Sequence, residues 1–104
     1  MKLRVALAQV NPTVGDLVAN AALVRTNFES AQDAGAHIVV FPEMVLTGYP
    51  VEDLALRPSF QLASQRALAE LAKTLTGKTV AIVGYLDQVN SAPQNMVAVI
   101  SGGE

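Results

Sequence analysis

The sequence predicts an α/β fold on a mainly parallel sheet, with elements in the order β-α-β-α-β-β. Three observations predict it. Short apolar runs rich in β-branched residues recur at 3–10, 37–41, 79–86 and 95–101. Two stretches of helical periodicity alternate with the first three runs. Gly or Pro punctuates most of the boundaries. Strands that alternate with helices imply right-handed βαβ crossovers, which keep successive strands parallel.

Leu3 to Val10 reads as a buried strand, broken by Asn11-Pro12-Thr13 because Pro12 offers no N–H to a ladder. Gly15-Asp16 opens a helix, with Asp16 as its N-cap. Leu17, Ala21, Val24, Phe28 and Ala31 recur at spacings of four and three and form one apolar face, with Asn20, Arg25 and Asn27 off that stripe. Gly35 ends this helix as a C′ residue. His37 to Phe41 reads as a central parallel strand, ended by Pro42-Glu43. A long connection, 43–58, carries Gly48, Pro50 and Pro58. A second helix spans about 59–75. It buries Ala67, Leu68, Leu71, Ala72 and Leu75 and presents Arg66, Glu70 and Lys73 outward. Gly77 terminates it. Thr79 to Leu86 is a further buried strand, Asp87 to Gln94 reads as a polar loop, and Asn95 to Ser101 is the last strand. Gly102-Gly103 suggests the start of a hairpin turn.

Composition narrows the function classes. Of 104 residues, 51% are hydrophobic and only 15% charged, and the mean hydropathy is +0.35. Such a chain is not intrinsically disordered. It is also too apolar for a small free-standing domain, which leaves much of its surface in water. The expectation is a segment of a larger fold or one half of an obligate pair. A strand that runs into a turn at the last residues points the same way. The net charge of −2 leaves no basic patch for nucleic acid. With no Cys and a single His, the chain has no disulfide, no cysteine nucleophile and no Cys/His metal site. No apolar run approaches the roughly 18 residues of a membrane span, and the N-terminus does not read as a signal peptide. A cytoplasmic protein is expected.

In open α/β sheets, ligands bind beyond the carboxyl ends of the strands. Two such ends are legible. One carries Asn11, Pro12 and Thr13; the other carries Glu43 and the long connection. Glu43 is the one carboxylate placed directly after a buried strand, where desolvation would suit it to proton transfer. Equally open at this point is a structural role, pairing with Arg57 or accepting backbone N–H bonds. His37 reads as a satisfied structural histidine. Tyr49 either lines a pocket or packs the connection down. Glu52-Asp53 could bind a metal, but two carboxylates alone are a weak signal, and capping a short helical turn is the better reading. No dinucleotide fingerprint, P-loop or nucleophile elbow is present.

Phe41-Pro42-Glu43 resembles the strand-end pattern of the nitrilase (carbon–nitrogen hydrolase) superfamily. The opening Leu3 to Gln9, the run Asn11 to Leu17, Leu46-Thr47-Gly48-Tyr49-Pro50, Glu52-Asp53-Leu54 and Arg57-Pro58 with Phe60 resemble one branch of it. That branch is the glutaminase domains of bacterial glutamine-dependent NAD+ synthetases. The resemblance covers the whole chain. It implies an αββα sandwich, of which residues 1–104 form a partial domain, and a Glu-Lys-Cys triad with Glu43 as general base. Lys2, Lys73 and Lys78 match no motif position. The lysine and cysteine are therefore expected beyond Glu104, together with a synthetase domain. Tyr49 matches a residue near the glutamine pocket. The implied activity is release of ammonia from L-glutamine to amidate deamido-NAD+ at the expense of ATP with Mg2+. Those cofactors belong to the synthetase domain and none to this segment. Homo-oligomers are implied too. Two alternatives stand beside this: another amidohydrolase of the same superfamily, and a non-catalytic α/β module.

Overall fold

The computed structural model describes residues 2–104. Four strands form one sheet in the order β1-β2-β3-β4: β1 (Val5–Leu7), β2 (Ile38–Val40), β3 (Val80–Val89) and β4 (Ala92–Ile100). The first two pairings are parallel, Val5 opposite Ile38 and Ile38 opposite Val80. The third is antiparallel, from Ala81 opposite Ile100 to Val89 opposite Ala92. Helices α1 (Leu17–Asp33) and α2 (Pro58–Thr74) form the crossovers. Both connections step along the sheet in one direction, so a common hand puts both helices on one face.

The core lies between those helices and the sheet. Val24, Phe28 and Ala31 of α1 and Leu71 of α2, with Leu75 just beyond it, pack on Val39, Ala81, Val83 and Ile100. Alternate strand residues point the other way. They form a second apolar face of Val5, Leu7, Ile38, Val40, Val80, Ile82, Val97 and Val99. No helix covers it among the described residues, and Leu7 is 71% and Val99 65% exposed. The predicted burial of the first strand is thus only half right. β1 is a short edge strand, and Leu3, Val5 and Leu7 face outward. The αββα sandwich that the resemblance implies would put a second sheet against a face of this kind.

Local signals explain the boundaries. The Asp16 side chain accepts a hydrogen bond from the Ala19 N–H at 3.0 Å and caps α1 as predicted. Gly35, with φ +82°, follows the helix end, and its N–H donates to the Gln32 carbonyl at 3.0 Å. Pro58 opens α2 in the first turn, where a missing N–H is harmless.

Two expectations fail. Residues 87–94 are not a loop: β3 and β4 run on through them to a two-residue turn at Asn90 and Ser91, with φ of +52° and +66°. Positive φ at both central residues matches the twist of a hairpin. The polar composition reflects a hairpin tip reaching past the core. Pro93 is tolerated because β4 is an edge strand. Asn20, placed off the apolar stripe, is 1% exposed. Its Nδ2 donates to the carbonyls of Thr13 and Leu46, and its Oδ1 accepts from the Thr13 N–H, all at 2.8–3.0 Å. One buried amide thus ties α1 to the connections after β1 and β2.

Replacing Asn20 by Leu leaves those three backbone groups without their partner. The expected loss of stability is roughly 3 kcal/mol by chemical denaturation. A loss below about 1 kcal/mol would contradict the role given to this amide.

Candidate active site

β2 delivers Glu43 to the carboxyl end of the sheet. After Val40 the Phe41 N–H still donates to the Ile82 carbonyl at 3.0 Å. Pro42 then removes a donor and the chain turns. The turn is held by Val45 N–H to the Pro42 carbonyl at 3.2 Å, Gly48 N–H to the Met44 carbonyl at 2.9 Å and Leu46 N–H to the Gly84 carbonyl at 3.3 Å. Met44 takes a left-handed φ of +52°. That conformation costs a side-chain-bearing residue on the order of 1–3 kcal/mol and persists only where its surroundings impose it.

The surroundings are tight. A Cβ on Gly84 would lie 2.6 Å from the Met44 nitrogen and 2.9 Å from the Pro42 oxygen. Only glycine lets the turn settle on β3. Met44 packs with Val51 and Leu86 in a small apolar cluster of its own. On its far side the turn meets the connection after β1. Gly15 N–H donates to the Thr47 carbonyl at 2.8 Å, and a Cβ on Gly48 would lie 2.6 Å from the Val14 Cα. The two strand ends picked out in the sequence are therefore joined.

Glu43 lines a recess of about 310 Å³ with Phe41, Pro42, Ile82, Gly84, Asn95 and Val97. Its Oε1 accepts a hydrogen bond from the Asn95 Nδ2. Two expectations about it need correction. The carboxylate is exposed and not desolvated, because the sheet face beside it is bare. Its partner is Asn95 and not Arg57. Tyr49 is 68% exposed and does not line this recess. Glu52 and Asp53 occupy the first turn of a 3-10 helix, Glu52–Leu56, but neither caps it with a side-chain bond. Among the described residues no group of three or more His, Asp or Glu side chains could hold a metal ion. His37 accepts the Arg4 N–H on Nδ1 at 2.9 Å and so joins the start of β2 to the segment before β1. A larger groove, about 530 Å³, lies between α1 and α2. It sits in the helix layer, away from the strand ends.

Sequence reading missed Gly84 and Asn95. Gly84 lies within a run read only as a buried strand, with its close approach to the Glu43 turn unseen, and placing Asn95 required the hairpin that residues 87–94 concealed.

Residues 4–103 match the family model for carbon-nitrogen hydrolases. The chain belongs to that family. It is 42% identical over 92 residues to the glutamine-dependent NAD(+) synthetase of Rhodobacter capsulatus, covering 86% of this chain and 17% of that protein. It is 39% identical over 104 residues to the synthetase of Thermotoga maritima, covering 99% of this chain and 18% of that one. The chain thus spans less than a fifth of these relatives. Among solved structures, a glutamine-dependent NAD(+) synthetase from Cytophaga hutchinsonii superposes with a TM-score of 0.90 at 27% identity, covering 97% of this chain and 17% of that one. A Nesterenkonia amidase of the nitrilase superfamily shares the fold, with a TM-score of 0.79 at 18% identity, covering 98% of this chain and 40% of that one.

This carbon–nitrogen hydrolase chain braces the hairpin that carries Gly84 and Asn95 with a second carboxylate. Asp87 accepts from the Gln65 Nε2, from the Tyr85 hydroxyl at 2.8 Å and from the Gln88 N–H at 2.7 Å. Those donors, Gln65 first, hold its carboxyl below the usual carboxylate range. Burial and the neighbouring Asp87 push the Tyr85 hydroxyl up to about 12. For Asp87 the folded value lies below the unfolded one. Its contribution to stability is therefore present above the unfolded value, near 3.8, and lost as pH falls through the folded one. Asp87→Asn should flatten the acid limb of a stability–pH curve. An unchanged acid limb would contradict the bracing.

Proposed function

We propose that this chain supplies the general base of a glutamine-hydrolysing site in a glutamine-dependent NAD+ synthetase. The carrying observation is Glu43. It stands at the carboxyl end of β2 on a turn that only Gly84 accommodates, in a chain 42% identical to a protein of that name. In this reading Glu43 takes the proton of a cysteine thiol supplied by chain outside residues 1–104. The thiolate attacks the side-chain amide of L-glutamine. A lysine, also from outside these residues, and backbone N–H groups stabilise the oxyanion. Ammonia leaves, and water hydrolyses the glutamyl thioester to glutamate.

The ammonia then amidates deamido-NAD+ at a separate site that uses ATP and Mg2+. No residue of this chain is assigned to those cofactors. Tyr49 belongs to the wall of the glutamine pocket in this reading, reached once further chain covers the bare sheet face. A cytoplasmic homo-oligomer is part of the same proposal. No described helix is long and apolar enough to cross a membrane.

The test uses a complete enzyme: residues 1–104 continued by the remaining sequence of the Thermotoga maritima relative. Glu43→Gln should lower glutamine-supported NAD+ formation by about 10²–10⁴-fold, the usual weight of a general base. Formation supported by added ammonium should persist. Glutamine-supported turnover within threefold of the parent would contradict the assignment. The 104-residue chain alone, which has no thiol, should release no ammonia from glutamine.

A further inference from the structure

The geometry points to Asn95 as the residue that positions Glu43 for proton transfer, an inference that rests on the base role proposed above. The turn fixes the backbone of Glu43 but leaves a side chain with three torsions standing in an exposed recess. Rotamer freedom of that kind spreads a carboxylate over several directions, and a base out of line by about 1 Å loses on the order of a hundredfold in rate. Asn95 removes the freedom. It lies on β4 opposite Leu86, and Leu86 is packed under Met44 and Val51. Its side chain thus rises from the hairpin that already seats the Glu43 turn. Nδ2 donates to Oε1. Oε2 has no hydrogen-bond partner among the described residues and is left to receive a proton.

The chemistry of the partner matters. An amide orients a carboxylate through a donor yet carries no net charge, whereas a lysine or arginine in its place would hold the carboxylate ionised and weaken it as a base. The other residues that line the recess carry no titratable side chain, so Asn95 is the polar group that sets where Glu43 points. Glu43 is the group that meets the proton; Asn95 acts through it.

Two measurements test this. The first needs no catalysis. In the complete enzyme described above the Asn95 side-chain amide should exchange with solvent more slowly than in its Glu43→Ala variant, by about fivefold or more in NMR. Equal exchange in the two would overturn the coupling. The second uses the complete enzyme described above. Asn95→Leu keeps most of the bulk and removes the donor without adding charge, and Asn95→Ala removes both. Each should lower glutamine-supported kcat by about tenfold to a hundredfold, the weight of a hydrogen bond to a charged group, with KM within threefold. In a Glu43→Gln background Asn95→Ala should change the residual rate by less than twofold, because the pair acts as a unit. A structural role predicts a tolerated Asn95→Leu and additive effects, and either result would overturn the proposal. A slow amide in a complete enzyme that does not hydrolyse glutamine would overturn the glutaminase reading and leave the Asn95–Glu43 coupling in place.

Discussion

A Cβ on Gly84 would sit 2.6 Å from the Met44 nitrogen, closer than real Cβ atoms come to backbone. Everything at the candidate site follows from this approach. The Pro42 to Met44 backbone rests on β3 where a side chain would stand. The Leu46 N–H reaches the Gly84 carbonyl there, and Met44 is held in a left-handed conformation. Glu43 lies between the two contacts, so its backbone position is set by the sheet and not by a free loop. Asn20 and Gly48 secure the other side of the same turn to the connection after β1. Both strand ends thus become one platform.

The rest of the fold serves that platform unevenly. One face of the sheet has α1 and α2 and a continuous core, with Val24, Val39, Leu75, Ala81 and Val83 fully buried. The other face is also apolar, and among the described residues no helix or second sheet lies on it. Parallel strands normally have both faces covered, and exposed apolar patches of this kind mark surfaces that meet another layer. The exposure of Glu43 has the same origin, since its recess opens onto that face beside Ile82 and Val97. A layer placed there would exclude water from the carboxylate and from any substrate beside it. This is the setting in which a base and an oxyanion site gain strength.

Much of this was legible in the residues. The strand–helix alternation, the Asp16 cap, the Gly35 stop and the central place of β2 follow from spacing and capping chemistry. Phe41-Pro42-Glu43 marked the strand end and the carboxylate together. What escaped was long-range. Asn20 looks solvent-facing by helical phase, and its burial depends on carbonyls of Thr13 and Leu46 that no local pattern reveals. Residues 87–94 read as a loop because the hairpin tip is polar and contains Pro93. Their pairing is fixed instead by the left-handed pair Asn90-Ser91. With that hairpin hidden, Asn95 could not be placed beside Glu43, and the need for glycine at 84 rests on a backbone approach that no local pattern reveals. The expected desolvation of Glu43 failed because burial of a strand end depends on both sheet faces, and periodicity describes one strand at a time.

The seating of the Glu43 turn on β3 is the claim on which the account depends. Its most direct test is glutamine-supported turnover of Gly84→Ala in the complete enzyme, with ammonium-supported NAD+ formation as the measure of folding. The account predicts a loss on the order of a hundredfold with glutamine, because one methyl group displaces the base by about 1 Å, and little change with ammonium. Glutamine turnover within twofold of the parent would contradict it and remove the structural basis for assigning Glu43 as the base.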